Sequence, residues 1–158
     1  MLDRNERRRL ESDLVLHWII AAFLFVLLVT YVVICHFLGE QFRQHLPESQ
    51  REVLRTVFYA VAIIIFPLTN LIRHVMVRLN QTMPGTAPPG QRYLTTVVVC
   101  LSLVESIGVM GLILFILGDD FNTLYIFSGL ALLGLFLHRP KPDEYASIVD
   151  ELSAKGGQ

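Results

Sequence analysis

The chain has 158 residues, of which 53% are hydrophobic and 17% are charged, and its formal net charge is −1. Soluble domains carry charge on about a quarter of their residues, so this composition excludes an ordinary soluble domain and indicates an integral membrane protein. A balanced charge offers no attractive field to a polyanion, and we therefore expect no nucleic-acid partner.

A charged tail at residues 1–13 precedes the first apolar run, Leu14 to Leu38, which contains no charged residue. At ~1.5 Å per residue this run exceeds the ~30 Å hydrocarbon core, so it predicts a first transmembrane helix. A cleaved signal peptide would have a shorter apolar core of roughly 7 to 15 residues and a small-residue cleavage site. Polar and aromatic rings near the helix ends are interpreted as interfacial anchors; they belong to His17, Trp18, Tyr31 and His36.

The second apolar run, residues 56–72, predicts a second transmembrane helix that pairs with the first in a hairpin covering residues 14–81. Pro47 followed by Glu48 is typical of a helix start, which places the beginning of this helix in the preceding loop. Pro67 predicts a kink within the span. Residues 82–91 contain three prolines and two glycines, and they predict the linker that separates the two halves of the chain.

The second half, residues 92–138, predicts another hairpin, with transmembrane helices at 93–117 and 121–137. Only the turn Gly118 to Asp120 joins them, so they must lie antiparallel and adjacent. The acids Asp119 and Asp120 are interpreted as part of a solvated turn. Residues 139–158 form a polar C-terminal tail.

Basic residues predict the orientation. Of the 13 lysines and arginines, only three fall in the loops that face away from the N-terminus. By the positive-inside rule both termini are cytoplasmic, and we expect a multi-pass protein of the cell inner membrane. The three exceptions are Arg43, Arg51 and Arg55.

Glu105 is the central candidate residue because it lies in the middle of the third apolar run. Helical spacing places Ser102, Glu105 and Gly108 on one stripe, with Gly111 beside it. Counting about twelve residues from the turn along each arm of the hairpin sets Glu105 level with Ser128 to Leu132, and we expect Ser128 and Gly129 to be its neighbours within the hairpin. We therefore predict a polar site at Glu105, Ser102 and Ser128, with close helix packing at Gly108, Gly111 and Gly129.

A carboxylate at mid-membrane costs roughly 2.5 to 3.5 kcal/mol on insertion scales, and the sequence places no lysine or arginine at its depth. Desolvation without a cation favours the neutral, protonated acid. Three interpretations remain open for Glu105: an ion- or proton-coupled group, a structural hydrogen bond or oligomer contact, and an ion pair with a cation from another subunit.

Two resemblances involve this helix. The segment Glu105 to Leu112, ESIGVMGL, resembles the ion-binding helix of rotary ATPase proteolipid subunits, in which a carboxylate is followed six residues later by Gly-Leu. That resemblance implies ion binding at Glu105, although the glycine-rich helix typical of proteolipids has no counterpart in Leu14 to Leu38. From Val97 to Pro142 the chain is similar to a family of small, uncharacterised four-helix bacterial membrane proteins, which implies architecture without an activity.

The remaining residues argue against an enzyme, since the sequence shows no paired acids at membrane depth, no phosphate-binding loop and no nucleophile beside a base. The cysteines lie at different predicted depths, so we expect no disulfide, and no metal or other cofactor is expected; haem is disfavoured because the histidines lie near the membrane edges. We expect an all-α integral membrane protein that acts as an accessory or scaffold subunit, as a homo-oligomer or within a larger membrane complex. The alternatives are proton or cation translocation through Glu105, and sensing through the charged tails.

Overall fold

The computed structural model of the chain describes residues 12–83 and 87–156, and these residues are almost entirely helical. The helices are α1 (Val15–Phe42), α2 (Glu48–Thr82), α3 (Pro89–Ile116), α4 (Phe121–Leu137) and α5 (Pro142–Gly156). The predicted all-α class is therefore confirmed. Most of the N-terminal tail and residues 84–86 of the predicted linker lie outside the described residues.

Three helices, α1, α2 and α3, are long and apolar enough to cross a membrane. A fourth span is obtained if α4 and α5, which meet at 42°, are taken together as one bent span. The length and composition of these helices fit the interpretation as a membrane protein. α4 alone has 17 residues, or ~25 Å of helix, which is at the short end of the range for a spanning helix.

Several helices are longer than the apolar runs that predict them. α1 continues past Leu38 to Phe42, and α2 begins at Glu48 directly after Pro47, as predicted. α2 then runs without interruption through Pro67 to Thr82. Because α3 already begins at Pro89, helices occupy both ends of the predicted 82–91 linker.

The third helix is the centre of the bundle. In the apolar 18-residue stretch of α3, 50% is buried inside the bundle, compared with 17% in the corresponding stretches of α1 and α2. α3 packs against all four other helices, whereas α1 packs mainly on α3 and α4, and α2 mainly on α3 and α5. The two helices of the first predicted hairpin are therefore held together chiefly through α3.

The α1–α2 loop lies on the α3–α4 turn. The backbone N–H of Gln44 donates to the carbonyl of Ile116 at 2.6 Å. Gly118 has a φ of +101°, and a Cβ at this position would collide with the carbonyl oxygen of Gln44. Only glycine permits this turn without strain, so Gly118 sets the distance between the loop and the turn.

Candidate functional site

Glu105 is buried inside the bundle, with 6% of the residue exposed. The Tyr31 hydroxyl is close enough to interact with the carboxyl group, but neither carboxyl oxygen makes a hydrogen bond of ordinary geometry. The same is true of two other buried groups, the Tyr31 hydroxyl on α1 and the Ser128 hydroxyl on α4, whose residues are each 8% exposed. These residues lie on three different helices. The contact of Gly111 with Phe127 places Ser128 level with Gly111, which is ~9 Å along α3 from Glu105, so only Glu105 and Tyr31 are called the Glu105 cluster.

Tyr31 reaches the neighbourhood of Glu105 because Gly108 has no side chain. A Cβ on Gly108 would collide with the Tyr31 hydroxyl and would come within 2.9 Å of the Leu28 side chain. Gly108 lies one helical turn after Glu105, so the tyrosine ring crosses α3 beside the carboxyl group. The interpretation of Tyr31 as an interfacial anchor is therefore wrong.

The other predicted site residues separate into interior and surface positions. Gly111 lies at a close contact, where a Cβ would be 2.5 Å from the Cβ of Phe127 on α4. Ser102 is exposed, so it lies away from the interior. Gly129 is also exposed, and a Cβ there would meet no atom within 4 Å, which means that Gly129 makes no close helix contact within the described chain.

Arginines make the polar contacts at the two ends of the bundle. At one end, Asp119 is fully buried. The Arg55 Nε donates to Asp119 Oδ2 at 2.8 Å, and the guanidinium also pairs with Oδ1. The interpretation of Asp119 as a solvated loop acid is therefore wrong: it fixes the α3–α4 turn to α2.

Two more arginines bind the backbone of the same turn. Arg43 donates to the carbonyl of Asp119 at 2.7 Å, and Arg51 donates to the carbonyl of Gly118 at 2.5 Å. Asp120 caps α4 by accepting a hydrogen bond from the Thr123 N–H at 2.9 Å. That hydrogen bond lowers the pKa of Asp120 because it stabilises the carboxylate. The three arginines that are exceptions to the positive-inside pattern thus all have a structural role here.

At the opposite end, Arg73 is buried at the junction of α4 and α5, with 4% of the residue exposed. Its Nε and Nη2 donate to the Glu144 carboxylate at 2.8 to 3.2 Å. The same guanidinium donates to the carbonyls of His138 at 2.5 Å and Arg139 at 3.0 Å. Tyr93 completes this group, because its hydroxyl accepts from the Lys141 N–H at 2.9 Å. Arg73 therefore holds the end of α4 and the start of α5 on α2.

His17 and Tyr145 extend this polar end toward α1. His17 is 2% exposed, its Nε2 lies 3.2 Å from the carbonyl of Gly90, and its ring centroid is 5.4 Å from that of Tyr93. Tyr145 donates to Asp13 at 3.1 Å. His17 is therefore a packed residue rather than the interfacial anchor that its position near the helix start predicts.

The described residues offer little for a metal or a redox group. Among residues 12–83 and 87–156 there is no group of three or more His, Cys, Asp or Glu side chains that could hold a metal ion. Cys35 and Cys100 are both buried and free. The Glu105 cluster, with one carboxyl and one hydroxyl group, can hold a proton or accept a small cation, and its oxygen donors suit a hard ion better than a transition metal.

No family of known proteins, no curated protein and no solved structure matches this chain. The function must therefore be argued from its own residues.

Proposed function

We propose that the chain crosses the inner membrane four times and has both termini in the cytoplasm. Support for the fourth crossing comes from the packing of α4 on α3. Gly111 of α3 lies against Phe127 of α4, and Gly134 of α4 lies against Val104 of α3. α4 thus runs from the Asp119 end of α3 back toward its Tyr93 end, where the chain reaches Lys141, and this antiparallel packing favours a crossing by α4 of the membrane that α3 crosses.

Within that topology the chain acts as a non-enzymatic accessory or scaffold subunit of a membrane complex. One observation supports this role above the others: each end of the bundle has an ion pair with one buried member, Asp119 with Arg55 and Arg73 with Glu144. Alternating access in transporters requires one group of helices to rock against another. Movement of α2 against α3, α4 and α5 would separate these pairs and leave the buried Asp119 carboxylate or the buried Arg73 guanidinium without its partner, which is unfavourable.

The lipid-facing sides of α1 and α2 are the surfaces available for assembly. Only 17% of the apolar 18-residue stretch of each of these helices is buried within the chain. Many large apolar side chains on these helices are exposed, including Phe23 and Ile63. A second copy of the chain or a larger subunit can pack on these helices without any change to the contacts inside the bundle.

The mass of the extracted complex tests this proposal. A tagged chain solubilised in mild detergent or lipid particles is expected to run as a stable homo-oligomer or with a stoichiometric partner, and purified protein in proteoliposomes is expected to conduct no ions above background. A monomer at every concentration, together with the absence of any stoichiometric partner, would remove the scaffold role.

Proton or cation binding at Glu105 is the second candidate, and the unpartnered Glu105 cluster favours it. A buried polar group without a hydrogen bond costs about 1 to 3 kcal/mol, and more if it is charged. Two such groups on two adjoining helices, the Glu105 carboxyl group and the Tyr31 hydroxyl, are together a reason to expect an occupant. A proton on Glu105 would allow the acid to donate to the Tyr31 hydroxyl, and a cation would be bound by the oxygens of both side chains.

Flux and stability measurements on matched variants separate the two candidates. If ions pass through the cluster, Glu105→Gln should reduce flux in proteoliposomes to background, Tyr31→Phe should reduce it severalfold, and Ser102→Ala, at an exposed position, should leave it unchanged. If the wild-type protein gives only background flux, the carrier function is wrong, whatever the variants do. The scaffold proposal then rests on the mass measurement alone.

A further inference from the structure

An apolar groove follows the contact between α1 and α4 on the outer surface of the bundle, and we call it the α1–α4 groove. It consists of two adjoining hollows of about 280 and 210 Å³. Leu132 of α4 lines both of them, so they are continuous. Small residues form part of the floor, namely Ala22 of α1 and Gly129 of α4.

The groove is long enough for a lipid acyl chain. Its α1 wall extends from Trp18 to Val33, which is ~22 Å of helix at ~1.5 Å per residue. One leaflet contributes about half of the ~30 Å hydrocarbon core. The groove is therefore longer than the hydrocarbon part of one leaflet, and it can hold an acyl chain of a lipid in that leaflet along its full length.

One end of the groove carries a positive charge, that of Arg139. Arg139 follows α4, and its guanidinium lies over the Phe136 ring at 4.3 Å and donates from Nη1 to the Phe136 carbonyl at 3.1 Å. These contacts fix the guanidinium, while its Nε and Nη2 have no partner among the described residues. Trp18 lies at the same end and is 46% exposed, as is typical of an aromatic ring at the headgroup level.

We propose that the α1–α4 groove binds one monoanionic phospholipid, with an acyl chain along the groove and the phosphate on Arg139. A planar guanidinium with two free donors matches phosphate geometry, and one arginine balances the single charge of a phosphatidylglycerol-type lipid. A transmembrane helix in the same groove would bring apolar side chains to the arginine and leave its donors unsatisfied. This inference does not depend on the scaffold or carrier function.

Native mass spectrometry of the purified full-length chain, titrated with phosphatidylglycerol, tests the proposal. Arg139→Gln removes the charge, and its matched control is Arg78→Gln, because Arg78 is also exposed near the end of a helix. Gly129→Leu fills the groove, and a Cβ at this position meets no atom of the chain, so the fold tolerates it. Its control is Ile63→Phe on the exposed side of α2, where Ile63 is 71% exposed.

We expect Arg139→Gln and Gly129→Leu each to weaken phosphatidylglycerol binding about tenfold, while both controls bind like the wild type. Phosphatidylcholine should bind more weakly than phosphatidylglycerol, and glycerol phosphate, which has no acyl chain, should not bind. Equal lipid retention by all variants would overturn the proposal. A loss of dimer in Gly129→Leu with unchanged lipid binding would overturn it too, and would identify the groove as a contact between copies of the chain.

Discussion

At the scale of single residues, the buried acid Asp119 depends on one cation. The Asp119 side chain is 1% exposed, whereas that of its partner Arg55 is 37% exposed. Arg55→Ala would leave the carboxylate desolvated and unpaired, so we expect a loss of about 3 kcal/mol in the free energy of unfolding. Unfolding by dodecyl sulfate titration in bicelles measures this difference.

Arg78→Ala is the matched control, because Arg78 is an exposed arginine on the same helix. It should change stability by less than about 0.5 kcal/mol. Adding Asp119→Asn to Arg55→Ala removes the unpaired charge and should recover part of the loss. Equal stability of Arg55→Ala and Arg78→Ala would show that the pair does not hold the turn.

Asp120 predicts a pH effect at the start of α4. The hydrogen bond from the Thr123 N–H lowers its pKa in the folded state, so its stabilising contribution is complete above the unfolded value of about 3.9 and is lost as the pH falls through the folded pKa. Asp120→Asn keeps the capping oxygen but cannot titrate. The difference in stability between wild type and Asp120→Asn should therefore shrink between pH 6 and pH 3.

Asp120→Ala removes the cap itself and should cost about 1 kcal/mol at pH 6. Because the variant has neither the cap nor the titrating group, its stability relative to Asp120→Asn should not depend on pH. A wild-type advantage that persists unchanged at pH 3 would contradict the assignment of the acid-side effect to Asp120.

Residue-level prediction from the sequence succeeded where chemistry is local and failed where a distant partner decides. The place of Glu105 in an apolar run predicts its burial. The position of Tyr31 beside Glu105 is not predicted, because the apolar run ends at Leu38 whereas α1 continues to Phe42, and this places Tyr31 deeper than the run suggests. With Gln44 level with Ile116, both Tyr31 and Glu105 lie about twelve residues from the same end of the bundle. The pairing of Asp119 with Arg55 joins residues 64 positions apart, and no local pattern indicates it.

At the scale of helices, the glycines of α3 and α4 differ in what they contact. A Cβ on Gly111 would lie 2.5 Å from the Phe127 Cβ, whereas one on Gly129 would meet nothing within 4 Å. We expect Gly111→Ala to cost about 1 to 3 kcal/mol through overpacking. Gly129→Ala should be neutral or stabilising by up to about 1 kcal/mol, because alanine favours the helix.

The same dodecyl sulfate titration compares the two variants under one condition. Since both are Gly→Ala changes within a helix, the gain in helix propensity is common to them, and their difference reports the α3–α4 contact. Similar stability of Gly111→Ala and Gly129→Ala would mean that α3 and α4 do not approach closely at Phe127.

The helices themselves were largely predictable, but their ends and neighbours were not. Apolar runs located four of the five helices, and Pro47 with Glu48 located the start of α2. Polar residues extend α2 beyond its apolar run on both sides, since ion pairs and backbone hydrogen bonds to other helices stabilise those turns. Hydropathy reports the solvent around a helix and contains no information on which helix packs against it.

At the scale of the whole molecule, the number of membrane crossings decides the side on which the C-terminus lies. With three spans, α4 and α5 would lie on the same side as the α1–α2 loop; with four, α5 would lie on the side of the N-terminus. His45 in that loop and Asp150 in α5 are both exposed. Single cysteines at these positions, in a background with Cys35 and Cys100 replaced by alanine, therefore distinguish the two topologies.

We expect a membrane-impermeant maleimide added to intact spheroplasts to label His45→Cys and to leave Asp150→Cys unlabelled until the membrane is opened. The reason is the packing that brings the end of α4 to Tyr93 and Arg73, together with basic residues that favour the cytoplasmic side there. Asp120→Cys should label like His45→Cys in either topology and serves as the control for access. Labelling of Asp150→Cys in intact spheroplasts would mean that α4 does not cross the membrane. The Arg73–Glu144 pair would then have to re-form on the other side of the bilayer or be absent.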